Sequence, residues 1–553
     1  MRLPPALAPL RHPLFRMLWT ANVASSFGVW MQNTGAGWMM TSLSPNALTV
    51  SLVQAATIIP VFLLALPAGA LADILDKRRL LLGTQSWMLL AALALTALTY
   101  AGQTGAWGLL AFTFAIGIGS AMNNPAWGAT MADVVPRQDL AQAIALNGVG
   151  FNIARAVGPA LAGFLVVAGG AALTFALNAV SYFAVIAALL SWHRRNRASR
   201  LPREQLLGAM RVGMRFVRHT PAMKAAMIRA AAFFMPAAAP WALLPLVVRE
   251  QLHLGAGVYG AMLGVMGIGG VTAGMTLPQM RQKFSRNATV FFCSVLSFSG
   301  VAILGLSRHW LAASVGMLVF GVGWVAASAV AQGAAQLSAP PWVRSRSLAI
   351  YQLAFNGALM AGTFFWGWLG TRIGLSTTLL AAAATGLVFA VAVRRYDLDQ
   401  VDAGATGGAI RGAPLAPAVV APELAAVVVA ARGRVLETQA YRIDPADRSA
   451  FLAAMADVRD VRGRTGAIVW QLYEDVARAD TWMEVWTMEN WTDHLREQLR
   501  MSEADRATVA RAIGFHRGEP LPPSRFIAVP PQRAVAGREP GNIASAVALA
   551  GRP

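Results

Sequence analysis

The sequence comprises 553 residues, of which 56% are hydrophobic and only 13% charged, with a mean hydropathy of +0.51. That balance excludes a purely water-soluble chain and makes lipid the solvent for much of it. A formal net charge of +20 would point to nucleic acid in a soluble protein; here the cations fall between apolar runs, where membrane orientation accounts for them, and no nucleic-acid partner is expected.

Arg2, Arg11 and Arg16 precede an apolar pattern that runs on past Trp38 without a small-residue cleavage site, so the start of the chain reads as a retained first helix. Apolar runs bounded by charges or Pro/Gly breaks predict helices near residues 15–42, 48–72, 79–102, 106–132, 140–168 and 171–192. A second set follows near 224–249, 256–277, 288–307, 310–337, 346–371 and 374–394. The expected fold is therefore an all-α membrane protein with twelve transmembrane helices in two six-helix bundles, 10–192 and 224–395, joined by a cytoplasmic linker over 193–223. In that linker Leu206, Met210, Met214 and Val217 recur at helical spacing among arginines. This fits an amphipathic helix along the membrane surface, or else a plain solvated linker.

Alternate loops differ sharply in charge. Lys77 to Arg79, Arg137, Arg194 to Lys224, Arg281 to Arg286 and Arg344 to Arg346 fall on one side, against only Arg249, Arg308 and Arg372 on the other. Positive-inside placement puts both termini in the cytoplasm of a multi-pass protein of the bacterial inner membrane. A faint repeat links the halves: Ala145 to Gly148 is echoed by Ala354 to Gly357, an offset of 209 residues (356 − 147), which also lays Lys77 over Arg286. Two such halves would enclose a substrate site near the membrane midplane. The lone cysteine, Cys293, excludes an intramolecular disulfide or a Cys-based metal cluster, and no metal or cofactor is expected.

After Arg395 the composition turns to Ala, Gly, Val and Pro, predicting a flexible linker over 396–433. The apolar run 418–431 is too short, and too interrupted by Pro422 and Glu423, for a thirteenth span. Residues 434–529 read as a soluble domain in the order β-α-β-β-α-β. Strands are expected at 435–443, 468–475, 482–488 and 525–529 and helices at 446–459, 491–500 and 503–515, the order of an α+β ferredoxin-like sandwich. The tail 530–553 reads as disordered.

The sharpest motif is Gly69-Ala-Leu71-Ala72-Asp73-Ile-Leu-Asp76-Lys77-Arg78-Arg79 between the second and third helices. It resembles the loop motif of the major facilitator superfamily, departing from it at Ile74 and Asp76. On the fifth helix, Asn147 to Gly163, with Arg155, Gly158 and Pro159, resembles the helix motif of antiporters in that superfamily. With Pro125, Trp127 and Asp133, these segments resemble an enterobactin-exporter-like group over residues 10–395. The resemblance implies a proton-coupled secondary exporter of small amphipathic molecules, siderophore- or drug-like, working by alternating access. Gly69, Asp73, Arg78, Arg79, Asp133, Arg155, Gly158 and Pro159 are then the expected gating residues.

Polar and aromatic residues within the spans are the cavity candidates: Gln32, Asn33, Gln54, Asn123, Asn124, Trp127, Asn152, Trp324, Gln332, Gln352 and Asn356. Arg155 sits deep enough in its span to face a wet cavity or a partner. Gly264 to Gly270 lies inside an apolar span with no preceding strand, so it reads as helix-packing glycines rather than a phosphate loop. At the C-terminus, Asn490 to Arg496 with Ser502 to Arg506 resembles dimeric α/β-barrel domains related to antibiotic-biosynthesis monooxygenases. This implies a homodimer through that domain. No catalytic acid/base pair stands out, so a regulatory or dimerising role is expected; the rival is a membrane-tethered enzyme or ligand sensor acting through the domain.

Overall fold

A computed structural model describes residues 5–192, 206–340, 343–399, 433–518 and 523–528. The expected tail, most of the expected linker and the rejected span at 418–431 lie outside these residues. The chain divides into two compact units, Met1–Gly408 and Ala409–Pro553.

The first unit is built of long helices: α1 Pro13–Leu43, α2 Ala47–Ile74, α3 Lys77–Tyr100, α4 Ala106–Val134 and α5 Leu140–Leu190. After a short α6, Leu206–His219, come α7 Pro221–Leu246, α8 Ala256–Lys283 and α9 Arg286–Leu306. The last are α10 Trp310–Ser338, α11 Arg344–Ile373 and α12 Leu375–Ala392. Among the described residues ten helices are long and apolar enough to cross a membrane. α1 is not one of the ten, because Asn22, Ser25, Ser26, Gln32, Asn33 and Thr34 dilute its apolar character. α5 counts once but holds 51 residues, roughly 75 Å of helix and more than twice a hydrocarbon core. Gly169 and Gly170 interrupt it with non-helical backbone. At Gly170 φ is +73°, a conformation that favours glycine.

Capping explains several helix starts. Asp76, one of the two departures from the loop motif, accepts a hydrogen bond from the backbone N–H of Arg79 at 3.0 Å and caps α3. Arg78 donates to the carbonyls of Leu189 and Leu190, at 2.9 and 2.8 Å, tying the start of α3 to the end of α5. Its counterpart at the repeat offset, Asn287 (287 − 78 = 209), grips the chain leaving α12. It donates to Asp397 and Asp399 and accepts from the backbone N–H of Leu398. Residues 397–399, expected to be flexible linker, are therefore fastened to α9, because the Asp399 carboxylate accepts from the backbone N–H groups of Arg286 and Asn287 at the helix start. The hydrogen bond from Asn287 holds the Asp397 carboxyl below its ordinary value.

Within the first set α1 packs on α5 and α2 on α4; within the second, α10 packs on α8 and α9, and α11 on α7. Two seams join the sets, α5 with α8 and α2 with α11. The α5–α8 seam brings backbone onto backbone. A Cβ at Gly260 would lie 2.6 Å from the Pro159 carbonyl oxygen, and one at Gly267 would lie 2.6 Å from the Ala156 Cα. At the end bearing Arg249, that guanidinium donates to Thr41 Oγ1 at 3.0 Å and lies over Trp38, which stacks on Tyr259. α6 buries Phe216 and Val217, and Gly213 meets Arg346 and Ile350 of α11. Of the stripe expected along this segment Val217 is buried and Met214 is exposed, while the side chains of Leu206 and Met210 lie outside the described residues.

In the second unit β1 Val435–Arg442, α13 Arg448–Thr465, β2 Val469–Asp475, β3 Arg478–Met488, α14 Trp491–Arg500, α15 Glu503–Ile513 and β4 Ser524–Ile527 follow in order. The sheet order is β2-β3-β1-β4, with every neighbouring pair antiparallel. β3 begins four residues before its expected start (482 − 478) because pairing Asp475 with Arg478 closes a tight hairpin. α13 runs on to Thr465, where Gly466 at φ +131° ends it. Phe451 packs against Tyr441 and Trp482 in a compact core.

Candidate functional site

A cavity of about 240 Å³ lies between the two helix sets. α1 contributes Trp30 and α5 contributes Asn152, Arg155, Ala156 and Pro159; across from them stand Trp241 of α7, Met266, Gly267, Gly270 and Gly274 of α8, and Val325 of α10. The glycines of α8 bring bare backbone to this wall, an approach that side chains would block. Aromatic rings continue from it through both sets. Phe151 and Trp30 stand 6.3 Å apart, Trp30 and Trp241 6.3 Å, Trp241 and Trp324 5.7 Å, and Trp324 and Phe234 5.0 Å between centroids. A larger hollow of about 600 Å³ sits among loop ends, beside Asn46, Glu250, Arg308 and Ser376. Gln251 is held there by the Ser307 carbonyl and by Ser376. Its position at the loops makes it a surface recess rather than a site within the spanning helices.

The cavity draws Asn152, Arg155 and Pro159 from the expected residues, and Gly158 packs against Trp30 beside it. Trp324 joins through the aromatic chain. Other expected cavity residues serve contacts elsewhere. Gln32 is buried and accepts a hydrogen bond from Asn178, while Asn123 accepts from Gln85 at 3.1 Å. Asn356 donates to Gln352 O of its own helix, and Trp127 is buried with its indole N–H unpartnered. Asn33 and Gln54 are partly buried, whereas Asn124, Gln332 and Gln352 are exposed. Among the gating residues, Arg78 and Arg79 stand at the start of α3; Gly69 and Asp73 fall in the final turns of α2, and Asp133 in the last turn of α4. The side chains of Asp73 and Asp133 and the surroundings of Gly69 lie outside the described residues.

Sequence reading missed Trp30, Phe151 and Trp241. A tryptophan in mid-span, away from the interfacial belts where the residue is common, was the available signal for Trp30. For Trp241 it was the preceding pair Pro236 and Pro240, which bend α7. Phe151 carried no local signal.

The second unit holds a different polar cluster. Glu484 accepts from Tyr441 Oη at 2.8 Å, from Arg462 Nε at 2.9 Å and from Trp470 Nε1 at 3.0 Å. Arg462 also donates to Glu497 at 3.1 Å and lies 3.7 Å above the Trp486 ring. His494 Nδ1 stands 2.6 Å from Glu437. Burial raises the Glu497 carboxyl above its ordinary value, with Arg462 opposing. For Arg462 burial works against the charge, and Glu484 and Glu497 outweigh it. Glu437, His494 and Glu497 offer ligand atoms within 4.8 Å of one another. A divalent cation there would meet the Arg462 guanidinium and displace contacts already made, so the donor set fits a closed ion network better than a metal centre.

The description "transmembrane secretion effector" belongs to the family that matches residues 5–530. A staphyloferrin A transporter of Staphylococcus aureus is 26% identical over 284 residues, covering 51% of this chain and 70% of that protein. The enterobactin exporter EntS of Citrobacter koseri is 22% identical over 324 residues, covering 57% and 75%. Among solved structures, a bacterial homolog of the human lysosomal transporter Spinster, inward-facing and unoccupied, superposes with a TM-score of 0.58 at 12% identity. The match covers 71% of this chain and 98% of that one. A POT family transporter in complex with 5-aminolevulinic acid gives 0.58 at 12%, covering 70% and 96%; at such identities these likenesses speak for the fold alone. Matched through both units, from the first described helix to beyond the last strand, this chain belongs to the transmembrane secretion effector family of major facilitator superfamily transporters.

Proposed function

We propose that the protein is a proton-coupled secondary exporter of small amphipathic molecules, siderophore- or drug-like, working by alternating access. In this reading twelve spans cross the bacterial inner membrane with both termini in the cytoplasm: α1, α2, α3, α4, the two legs of α5 on either side of Gly169–Gly170, and α7 to α12. The cavity bearing Arg155 is the observation that carries the reading, since both helix sets wall it and relative motion of the sets would expose it to either side in turn. The seams near Arg249, Trp38 and Tyr259 supply an outer closure, and the segment around Gly69, Asp73, Arg78, Arg79 and Asp133 an inner latch. Names of the relatives, a staphyloferrin A transporter and an enterobactin exporter, support siderophore-like cargo. Proton coupling is drawn from family resemblance.

The C-terminal unit serves regulation or pairing in this reading. Its strand order supports a ferredoxin-like sandwich of the kind related to antibiotic-biosynthesis monooxygenases, and the exposed sheet residues Val469, Tyr473, Met483 and Phe526 support a homodimer. Transport of a siderophore and drug panel into inside-out vesicles, with and without a proton gradient, tests the proposal on the full chain and on a chain ending at residue 399. Gradient-dependent uptake by both supports it; uptake by neither, with binding or turnover confined to the C-terminal unit, would instead establish an enzyme or sensor.

A further inference from the structure

Two hydrogen-bond donors in the cavity between the helix sets lack an acceptor. Arg155 makes no hydrogen bond or ion pair among the described residues, and the buried indole N–H of Trp241, on the facing set, is likewise unpartnered there. Among the described residues no carboxylate pairs with Arg155. α1 to α12 contain two carboxylates, Asp73 and Asp133, each the penultimate residue of its helix. An arginine within a spanning helix is costly, and such residues normally face a partner or a wet cavity. An unpaired indole N–H adds to that cost.

We infer that the acceptor arrives with the cargo: the cavity is a receptor for an oxyanion, a carboxylate or its equivalent, held by Arg155 and Trp241. The inference rests on the transporter reading and names its substrate class. A planar guanidinium presents paired N–H groups that match a carboxylate, and an indole N–H is donor-only, so both favour oxygen acceptors over cations. Size narrows the class. At about 240 Å³ the cavity falls below the roughly 300–1,000 Å³ of pockets that enclose drug-sized ligands, so it takes the anionic end of a larger molecule. The rest of that molecule is flat and apolar, lying against the Trp30 and Trp241 rings and the Met266 and Val325 side chains of the cavity wall. Arg155 thus acts as the residue that selects cargo by charge.

The test uses the purified full-length protein in a neutral detergent, with 2-naphthoate and its uncharged amide, 2-naphthamide, as probes in calorimetric titrations. The naphthoate is expected to bind at least tenfold more tightly than the amide, and Arg155→Gln should reduce that ratio to near one. Arg155→Lys should retain part of it, and Trp241→Phe, which removes the N–H together with part of the ring surface, should weaken naphthoate several-fold more than it weakens the amide. If Arg155→Gln fails to fold, the Lys and Phe variants carry the test. Equal binding of the two probes, or a preference that survives Arg155→Gln, overturns the inference. So does displacement of the site by phosphatidylglycerol with no naphthoate binding, which would assign it to a lipid headgroup. Proteoliposome flux separates the two readings. Transport without a preference for anions overturns the anion site and leaves the exporter; a naphthoate preference without any flux leaves the site and overturns the exporter.

Discussion

Two arginines, Arg462 of the C-terminal unit and Arg155 of the membrane unit, are treated in opposite ways. In the C-terminal unit Arg462 lies between Glu484 and Glu497, while Glu437 meets His494, so each of these buried groups has a partner at hydrogen-bond distance. In the membrane unit Arg155 stands in a cavity with no partner among the described residues. A charge whose partners are all supplied by the fold holds the fold together; a charge left open is kept for something that comes and goes. The same residue type therefore has a structural role in one unit and a recognition role in the other.

Substitutions that break this contrast should differ in size as well as kind. Arg462→Met strands Glu484 and Glu497 in a buried site, and removing one partner of such a network costs about 3–5 kcal/mol. Limited proteolysis of the intact chain in a urea series should show the C-terminal unit opening at much lower denaturant; an unchanged midpoint would mean that the network contributes little. Glu497→Gln should have a smaller, pH-dependent effect of about 1 kcal/mol per unit of pKa displacement. Because the native carboxyl binds its proton more tightly than the unfolded one, its contribution is complete below the ordinary value of about 4.3 and is lost as pH rises through the raised native value. The amide should therefore match the wild type in acid and gain on it as pH rises, and the reverse trend in the same proteolysis series would contradict the raised pKa. Arg155→Gln should have the smallest effect on stability: Tm of the membrane unit is expected to stay the same or rise, since an unpaired charge is removed from an apolar setting. A fall of several degrees would reveal a structural partner and erase the contrast.

Much of the fold was legible from residue order. Cations between apolar runs marked the helix ends, and Gly169–Gly170 marked the break in α5 that a bare hydropathy count passes over. The 209-residue offset, read from Asn147 and Asn356, also places Arg78 and Asn287 at the starts of α3 and α9, where Arg78 holds the end of α5 and Asn287 the chain beyond α12. In the C-terminal unit, strand-like apolar patterns located the four described strands, and Asn490 and Ser502 cap the two helices near which they were read.

The candidate site was only half legible. Arg155 was conspicuous because a charge deep in an apolar run is expensive wherever it points. Gln32 was equally conspicuous, yet it is spent on Asn178, which lies 146 residues away and whose facing cannot be seen in one helix alone. Trp30 and Trp241 became part of the cavity only when α1 and α7 were brought together across the pseudo-repeat.

Sequence alone determined that lipid surrounds the first unit and roughly where its helices begin and end, because transfer free energy and backbone capping depend on a residue and its near neighbours. Tertiary structure decided which polar groups satisfy one another and which are left open. That outcome depends on distances between helices remote in the chain, and the glycines that let α5 and α8 touch set those distances.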